Sequence, residues 1–279
     1  MIIAVCSLSG APGVTTLATA LAAIWPAGPL TVPVLVEADV SGGDLAVWHR
    51  IEGRPGLVSL VASVRSAADL IQVRQNGVRR ALLGHTAELP GGLRVLTAPA
   101  TPHEATPVVD VLAHRRAVLD GGVTVLDLGR VMPGTAGARL LAHADAAVVT
   151  VDGDDPAQLH RVARCRDILD ALTEKGAVVG LAVRGNRFTS IEIETTTGHR
   201  VWAHLPHDPT GAGYLRGERT GPRGPRERFA AWSHTRRDPD AVTWMPLLAA
   251  AQQLADRIDD LCADTTAART AALIEAGAA

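Results

Sequence analysis

Lysine is nearly absent from this chain. Lys175 is the only one among 279 residues, so arginine carries almost all of the positive charge. Aromatic residues are also scarce, at 3%, so the core must be aliphatic and rich in alanine. Cysteine occurs three times, at Cys6, Cys165 and Cys262. These long spacings offer neither a disulfide framework nor a zinc pattern, and the expectation is reduced thiols in a cytoplasmic protein. Cys6 and Cys165 read as small core residues. No stretch approaches the ~20 uninterrupted apolar residues of a membrane span. The apolar start of the chain breaks at residues 7–10, too early for a signal peptide. The net charge of −2 excludes a molecule that binds nucleic acid through its overall field. The histidines are scattered. His199, His204 and His207 lie closest together, but they straddle a strand and its exit without metal-ligand pairing. No Ser-His-Asp or Cys-His arrangement emerges.

What is present is an alternation of short apolar runs and helical patterns. Strands are expected at 2–6, 32–36, 93–96, 123–126, 146–151, 178–183 and 201–205. Most are continuous apolar runs, as in strands buried on both faces of a mainly parallel sheet. Helices lie between them. Leu17, Leu21, Ile24 and Trp25 share one helical face, as do Val108, Val111, Leu112 and Leu119. Leu159, Val162, Leu169 and Leu172 form another, and Leu247, Ala251, Leu254, Ile258 and Leu261 mark a closing helix. This βα order predicts a doubly wound α/β fold with helices on both faces of the sheet. Residues 1–263 read as a single domain, interrupted by a Gly-, Pro- and Arg-rich insertion at 217–240 and followed by an Ala-rich tail at 264–279.

Residues 9–16 read Ser-Gly-Ala-Pro-Gly-Val-Thr-Thr, between the first expected strand and the first expected helix. That is the layout of a phosphate-binding loop. Gly10 and Gly13 allow a tight turn whose N–H groups face an anion. The helix N-terminus adds partial positive charge. Thr15 stands where a loop hydroxyl meets Mg²⁺. The full pattern G-x-x-x-x-G-K-[ST] is not met: Leu8 holds its first position, and Val14 stands where lysine belongs.

The loop and the segments after it resemble the MinD/ParA family of deviant P-loop ATPases (the SIMIBI class), whose loop reads Lys-Gly-Gly-x-Gly-Lys-Thr-Thr. Ser9 takes the place of the signature lysine that reaches across the dimer, and Val14 that of the phosphate-gripping lysine. Gly10, Gly13, Thr15 and Thr16 agree with the pattern, and Ala11 is a small substitute for its glycine. Residues 34–44, Val-Leu-Val-Glu-Ala-Asp-Val-Ser-Gly-Gly-Asp, are similar to the family's switch I; Glu37 replaces its first acid and Asp39 keeps the second. Residues 123–129, ending Asp127-Leu128-Gly129, are similar to switch II. The resemblance continues through 145–151, 178–184, 205–208 and the closing helix. It implies a three-layer α/β/α P-loop fold, Asp39 and Asp127 as catalytic acids, and Ser9, Gly10, Ala11, Pro12, Gly13, Val14, Thr15 and Thr16 around nucleotide. Thr15, Asp39 and Asp127 would hold Mg²⁺ when nucleotide binds. It also implies protein partners, a homodimer, and a role in partitioning or in assembly of a pilus or secretion machine, as in CpaE-like proteins of tight-adherence pili with altered loops.

The missing lysines change what that resemblance predicts. A charge-assisted hydrogen bond is worth roughly 1.5–3 kcal/mol, so losing one weakens triphosphate binding by about tenfold to over a hundredfold. Hydrolysis suffers more, because phosphoryl transfer depends on positive charge around the developing transition state. The expectation is weak ATP and Mg²⁺ binding without strong turnover: a pseudo-ATPase acting as a positioning, scaffold or regulatory factor. The alternative is a working ATPase with a reassigned arginine, either Arg130 or one from the insertion.

Arg216, Arg219, Arg223, Arg226 and Arg228 crowd the insertion and its approach, with Phe229 and Trp232 among them and Glu218 and Glu227 diluting them. A phosphate, nucleic-acid or partner contact is one reading. The other, favoured reading is a solvated loop in a sequence biased towards arginine, or a loop docking onto acidic patches of its own chain. The tail offers only Leu273, Ile274 and Arg269 to a membrane, too little for an amphipathic anchor, so no membrane binding is expected.

Overall fold

The computed structural model describes residues 1–10, 12–26, 32–218, 228 and 242–277. Eight strands form one sheet: β1 (Ile2–Ser7), β2 (Val34–Glu37), β3 (Ala87–Glu88), β4 (Arg94–Leu96), β5 (Thr124–Arg130), β6 (Ala146–Asp152), β7 (Val178–Arg184) and β8 (Val201–Leu205). Their order across the sheet is β3-β4-β2-β5-β1-β6-β7-β8. Every pairing is parallel except β3 with β4. The first helix is α1 (Val14–Ile24). After β2 come α2 (Leu45–His49), α3 (Leu57–Ala62), α4 (Ala67–Asn76) and α5 (Val78–Leu83). Further along are α6 (Pro102–His114), α7 (Ala136–Leu141), α8 (Pro156–Arg164), α9 (Arg166–Glu174), α10 (Ser190–Thr197), α11 (Pro209–Leu215) and α12 (Pro246–Gly277).

The sheet feeds two cores, one on each face. Successive side chains of β1 alternate: Ile2, Ala4 and Cys6 join α6, α7, α8 and α9 on one side, while Ile3 and Val5 join α1 and α12 on the other. β6 does the same, with Ala147 and Val149 against Ala146 and Val148. This is why the central strands read as unbroken apolar runs: a strand covered on both sides has no polar face to display. The α1 layer is built largely from Leu17, Ala18, Leu21 and Ala22, all buried. Its alanines let α12 pack close, which suits a chain with few aromatics.

The edges differ from expectation. β3 is a two-residue antiparallel strand whose Glu88 pairs with Arg94 at 2.8 Å; it blunts the free edge of β4 and is too short to show a period. The faces expected to be continuous helices are interrupted. Leu119 belongs to a separate 3-10 turn (Arg116–Leu119), and the helix expected across 159–172 breaks at Cys165 into α8 and α9. On the far edge Trp202 of β8 lies flat against β7, so that a Cβ at Gly180 would sit 2.0 Å from its indole. Among the described residues no helix is long and apolar enough to cross a membrane.

Candidate phosphate and metal site

β1 and β5 are parallel neighbours in the middle of the sheet, so the loop leaving β1 and the acid at the end of β5 meet at the sheet's carboxyl edge. The loop begins with a small polar turn: the Ser7 hydroxyl donates to the Ser9 carbonyl (2.9 Å) and accepts from the Ser9 N–H (3.1 Å). Gly10 and Gly13 both adopt left-handed backbone, at φ 76° and 79°. Gly13 caps α1, and the first intrahelical bond of the turn runs from the Leu17 N–H to the Gly13 carbonyl. The N–H groups of Val14, Thr15 and Thr16 precede that bond and have no intrahelical acceptor. They are the donors a helix N-terminus offers an anion.

The Val14 side chain plays no part in that display. It is 2% exposed and packs in the core with Leu17 and Leu21. Thr15 and Thr16 remain partly accessible, Ser9 is buried, and Gly10 is exposed. Ala11 lies outside the described residues. Pro12, Gly13 and Thr16 line a cavity of about 300 Å³ whose other walls include Arg184, His207 and Arg216. A larger cavity of about 660 Å³ beside Thr19, His49 and Tyr214 contains none of the loop residues.

Asp127 is the acid beneath the loop and is 1% exposed. Its Oδ1 accepts from the Gly129 N–H at 3.1 Å, while its Oδ2 has no hydrogen-bond partner. Burial pushes its pKa up to about 7; the charges of Glu37 and Asp39 push the same way, and the nearby Thr15 hydroxyl and the Gly129 N–H oppose them. Asp39 lies against the same spot from β2's side. A Cβ on Gly129 would fall 1.7 Å from Asp39 Oδ2. The other oxygen, Asp39 Oδ1, accepts from the Ser41 N–H at 2.7 Å. Burial raises the Asp39 pKa against that bond.

Glu37, aligned with switch I's first acid, has a different job. Its Oε1 accepts from the N–H groups of Asp44 (2.6 Å) and Leu45 (2.9 Å), and its Oε2 from that of Ala98 (2.9 Å). At 1% exposure it ties the start of α2 and the exit of β4 to the end of β2. Burial still raises its pKa, against those three donors.

Thr15, Asp127 and Asp39 therefore converge, and their chemistry suits a hard divalent cation. One buried oxygen of Asp127 has no hydrogen-bond partner, the Thr15 hydroxyl lies near the same carboxylate, and the Asp39 carboxylate stands close by. No cluster of three or more His, Cys, Asp or Glu exists among the described residues to hold a metal on protein ligands alone.

One side chain at the loop was not anticipated. Arg161 of α8 donates from Nη1 to the Ser9 Oγ. Nothing in the residue order singles it out, because several arginines share that amphipathic segment and only the packing angle of α8 decides which one reaches the loop. Arg130, the cation considered from sequence, is exposed. Of the insertion arginines, Arg216 pairs with Glu218 at 2.8 Å and Arg228 is exposed, while Arg219, Arg223 and Arg226 lie outside the described residues.

The fold is that of the MinD and ParA ATPases. A ParA family ATPase from Chlorobium tepidum superposes with a TM-score of 0.62 at 15% identity, over 91% of this chain and 96% of its own. MinD from the MinC:MinD cell division complex of Aquifex aeolicus gives 0.59 at 14% identity, over 93% and 95%. The septum site-determining protein MinD of Pyrococcus horikoshii, solved with Mg-ADP, gives 0.58 at 15% identity, over 95% and 98%. No family model matches the chain, and no curated protein matches its sequence.

Proposed function

We propose that this chain is a MinD/ParA-type protein that binds a magnesium nucleotide weakly and does not turn it over, serving as a positioning, scaffold or regulatory factor for a protein partner. The observation that carries the reading is a division within one site. The metal half is kept: Thr15 faces a buried Asp127 whose Oδ2 has no partner. The cationic half is gone from the loop, with Val14 folded into the core.

In this reading the amides of 14–16 hold phosphate oxygens, and Thr15 and Asp127 hold Mg²⁺ with Asp39 beside them. The bound metal would neutralise phosphate charge. The cavity flanked by Arg184, His207 and Arg216 takes the rest of the nucleotide. What is lost is charge concentrated on the transferring phosphoryl group, on which acceleration of phosphoryl transfer depends. The similar MinD of Aquifex aeolicus was solved in complex with MinC, which supports a protein partner here. Partitioning and pilus or secretion assembly are the settings in which such a factor works.

Titration calorimetry with ATP–Mg²⁺ and a phosphate-release assay test the reading together. Measurable binding with no release above background is expected. Turnover that disappears in Asp39→Ala or Asp127→Ala would replace it with a working ATPase.

A further inference from the structure

We propose that Arg161 is the phosphate-binding cation of this site, supplied within the same chain by α8 in place of the loop lysines. The proposal deepens the nucleotide reading above and rests on it.

Arg161 reaches the loop from 152 residues away and lands on the Ser9 hydroxyl. That contact leaves the guanidinium without an ionised partner among the described residues. Arg139, Arg166 and Arg200 each meet a carboxylate within 3.2 Å. Among the described residues, Arg161 meets a neutral hydroxyl and no carboxylate. A guanidinium presents five N–H groups in a planar fork suited to phosphate, and hydrogen bonds to an ionised acceptor are about twice as strong as neutral ones. The Ser9 bond is therefore a resting contact that an arriving phosphate outcompetes.

The helix that delivers the guanidinium is well fixed. Asp155 caps α8 by accepting from the Ala157 N–H at 2.9 Å, Pro156 opens its first turn, and Leu159 and Val162 are buried beneath it. Gln158, on the same helical face as Arg161, accepts from the Asp152 N–H at 3.1 Å, and its Nε2 would stand 3.6 Å from a Cβ at Gly10. So α8 places both polar side chains along the start of the loop. Ser9 completes the arrangement: a lysine there would set an ammonium against the guanidinium. The unpartnered, buried Asp127 Oδ2 is an independent sign that the same loop is built around a ligand.

Calorimetry with ADP–Mg²⁺ and ATP–Mg²⁺ on the full chain tests this, with melting temperatures measured in parallel. Arg161→Gln keeps a donor for Ser9 and loses the charge; its affinity is expected to fall by about tenfold to a hundredfold, with a shallower salt dependence. Ser9→Ala frees the guanidinium from its resting contact and is expected to tighten binding by about twofold to tenfold. Arg164→Ala, which among the described residues loses a contact to His160, binds as the wild type does. If the wild type binds and Arg161→Gln binds equally well, the proposal is overturned. Weakening by Ser9→Ala as large as that by Arg161→Gln also overturns it, since the pair would then be structural. Failure of the wild type to bind either nucleotide refutes the functional reading itself.

Discussion

Asp127→Asn should make this protein more stable at neutral and alkaline pH while damaging its ligand site. Asp127 is 1% exposed, and burial lifts its pKa from the ordinary carboxylate value of about 3.9 to about 7. A raised carboxyl pKa means that the folded state holds the proton more tightly than the unfolded chain. Its favourable contribution is complete below about pH 4 and disappears as pH rises through 7. Each tenfold step in proton affinity is worth about 1.4 kcal/mol, so the full penalty of ionising the group is on the order of 4 kcal/mol, about 3 of which fall between pH 5 and pH 8. Asparagine avoids it: the side-chain oxygen still accepts from Gly129, and the amide takes the place of the unpartnered Oδ2 beside Thr15. Urea unfolding of both proteins at pH 5, 6, 7 and 8 without Mg²⁺ measures the effect. The stability gap should open with pH by roughly 3 kcal/mol, while calorimetric binding of ATP–Mg²⁺ to the variant is lost. Parallel pH profiles would refute the reasoning, because the buried carboxylate would then cost nothing to ionise.

Two further substitutions probe the frame around the site. Glu37→Gln leaves one of three buried backbone donors facing an amide instead of an oxygen, at a cost of about 2 to 3 kcal/mol in urea unfolding at pH 7; an unchanged midpoint would mean that Glu37 does not tie β2 to α2 and β4. Gly129→Ala places a methyl 1.7 Å from the Asp39 carboxylate at a left-handed φ of 54°. It should destabilise by at least about 2 kcal/mol and displace Asp39. Wild-type stability and wild-type metal binding in that variant would separate Asp39 from the end of β5.

The sheet was legible because its central strands are covered on both faces, and the residues that prove this are consecutive apolar ones such as those of β1 and β6. The loop was legible because only glycine takes the backbone of positions 10 and 13 cheaply. Other features carry no such mark. β3 spans two residues, shorter than any period. The helices α2, α3 and α5 span five or six residues each, and their buried positions, such as Leu45, Leu57 and Leu82, are too few to set a phase. Glu37 reads as an acid aligned with a switch, yet its role comes from three N–H groups on two other segments. Arg161 is the sharpest case. Its identity as a surface arginine on an amphipathic helix is plain in the sequence, but its meeting with Ser9 depends on the angle at which α8 crosses the loop.

The proposed reading separates binding from turnover. An interaction equally strong in the ground and transition states tightens a complex without accelerating the chemical step. In the proposed reading the amides of 14–16 and the Thr15–Asp127 pair would act on phosphate and metal that are already charged before any bond breaks. In the MinD/ParA pattern the loop's second lysine stands at the helix start, and there this protein puts a core valine. The Arg161 guanidinium instead approaches the beginning of the loop, at Ser9. On the proposed reading, one cation at that end would hold a phosphate chain without tracking the charge that develops as it is cleaved. Under the proposed reading, such a protein would return to its empty state by dissociation instead of hydrolysis. At a fixed association rate, a site weaker by about a hundredfold releases its ligand about a hundred times faster. Weak affinity would then set the speed of the proposed switch.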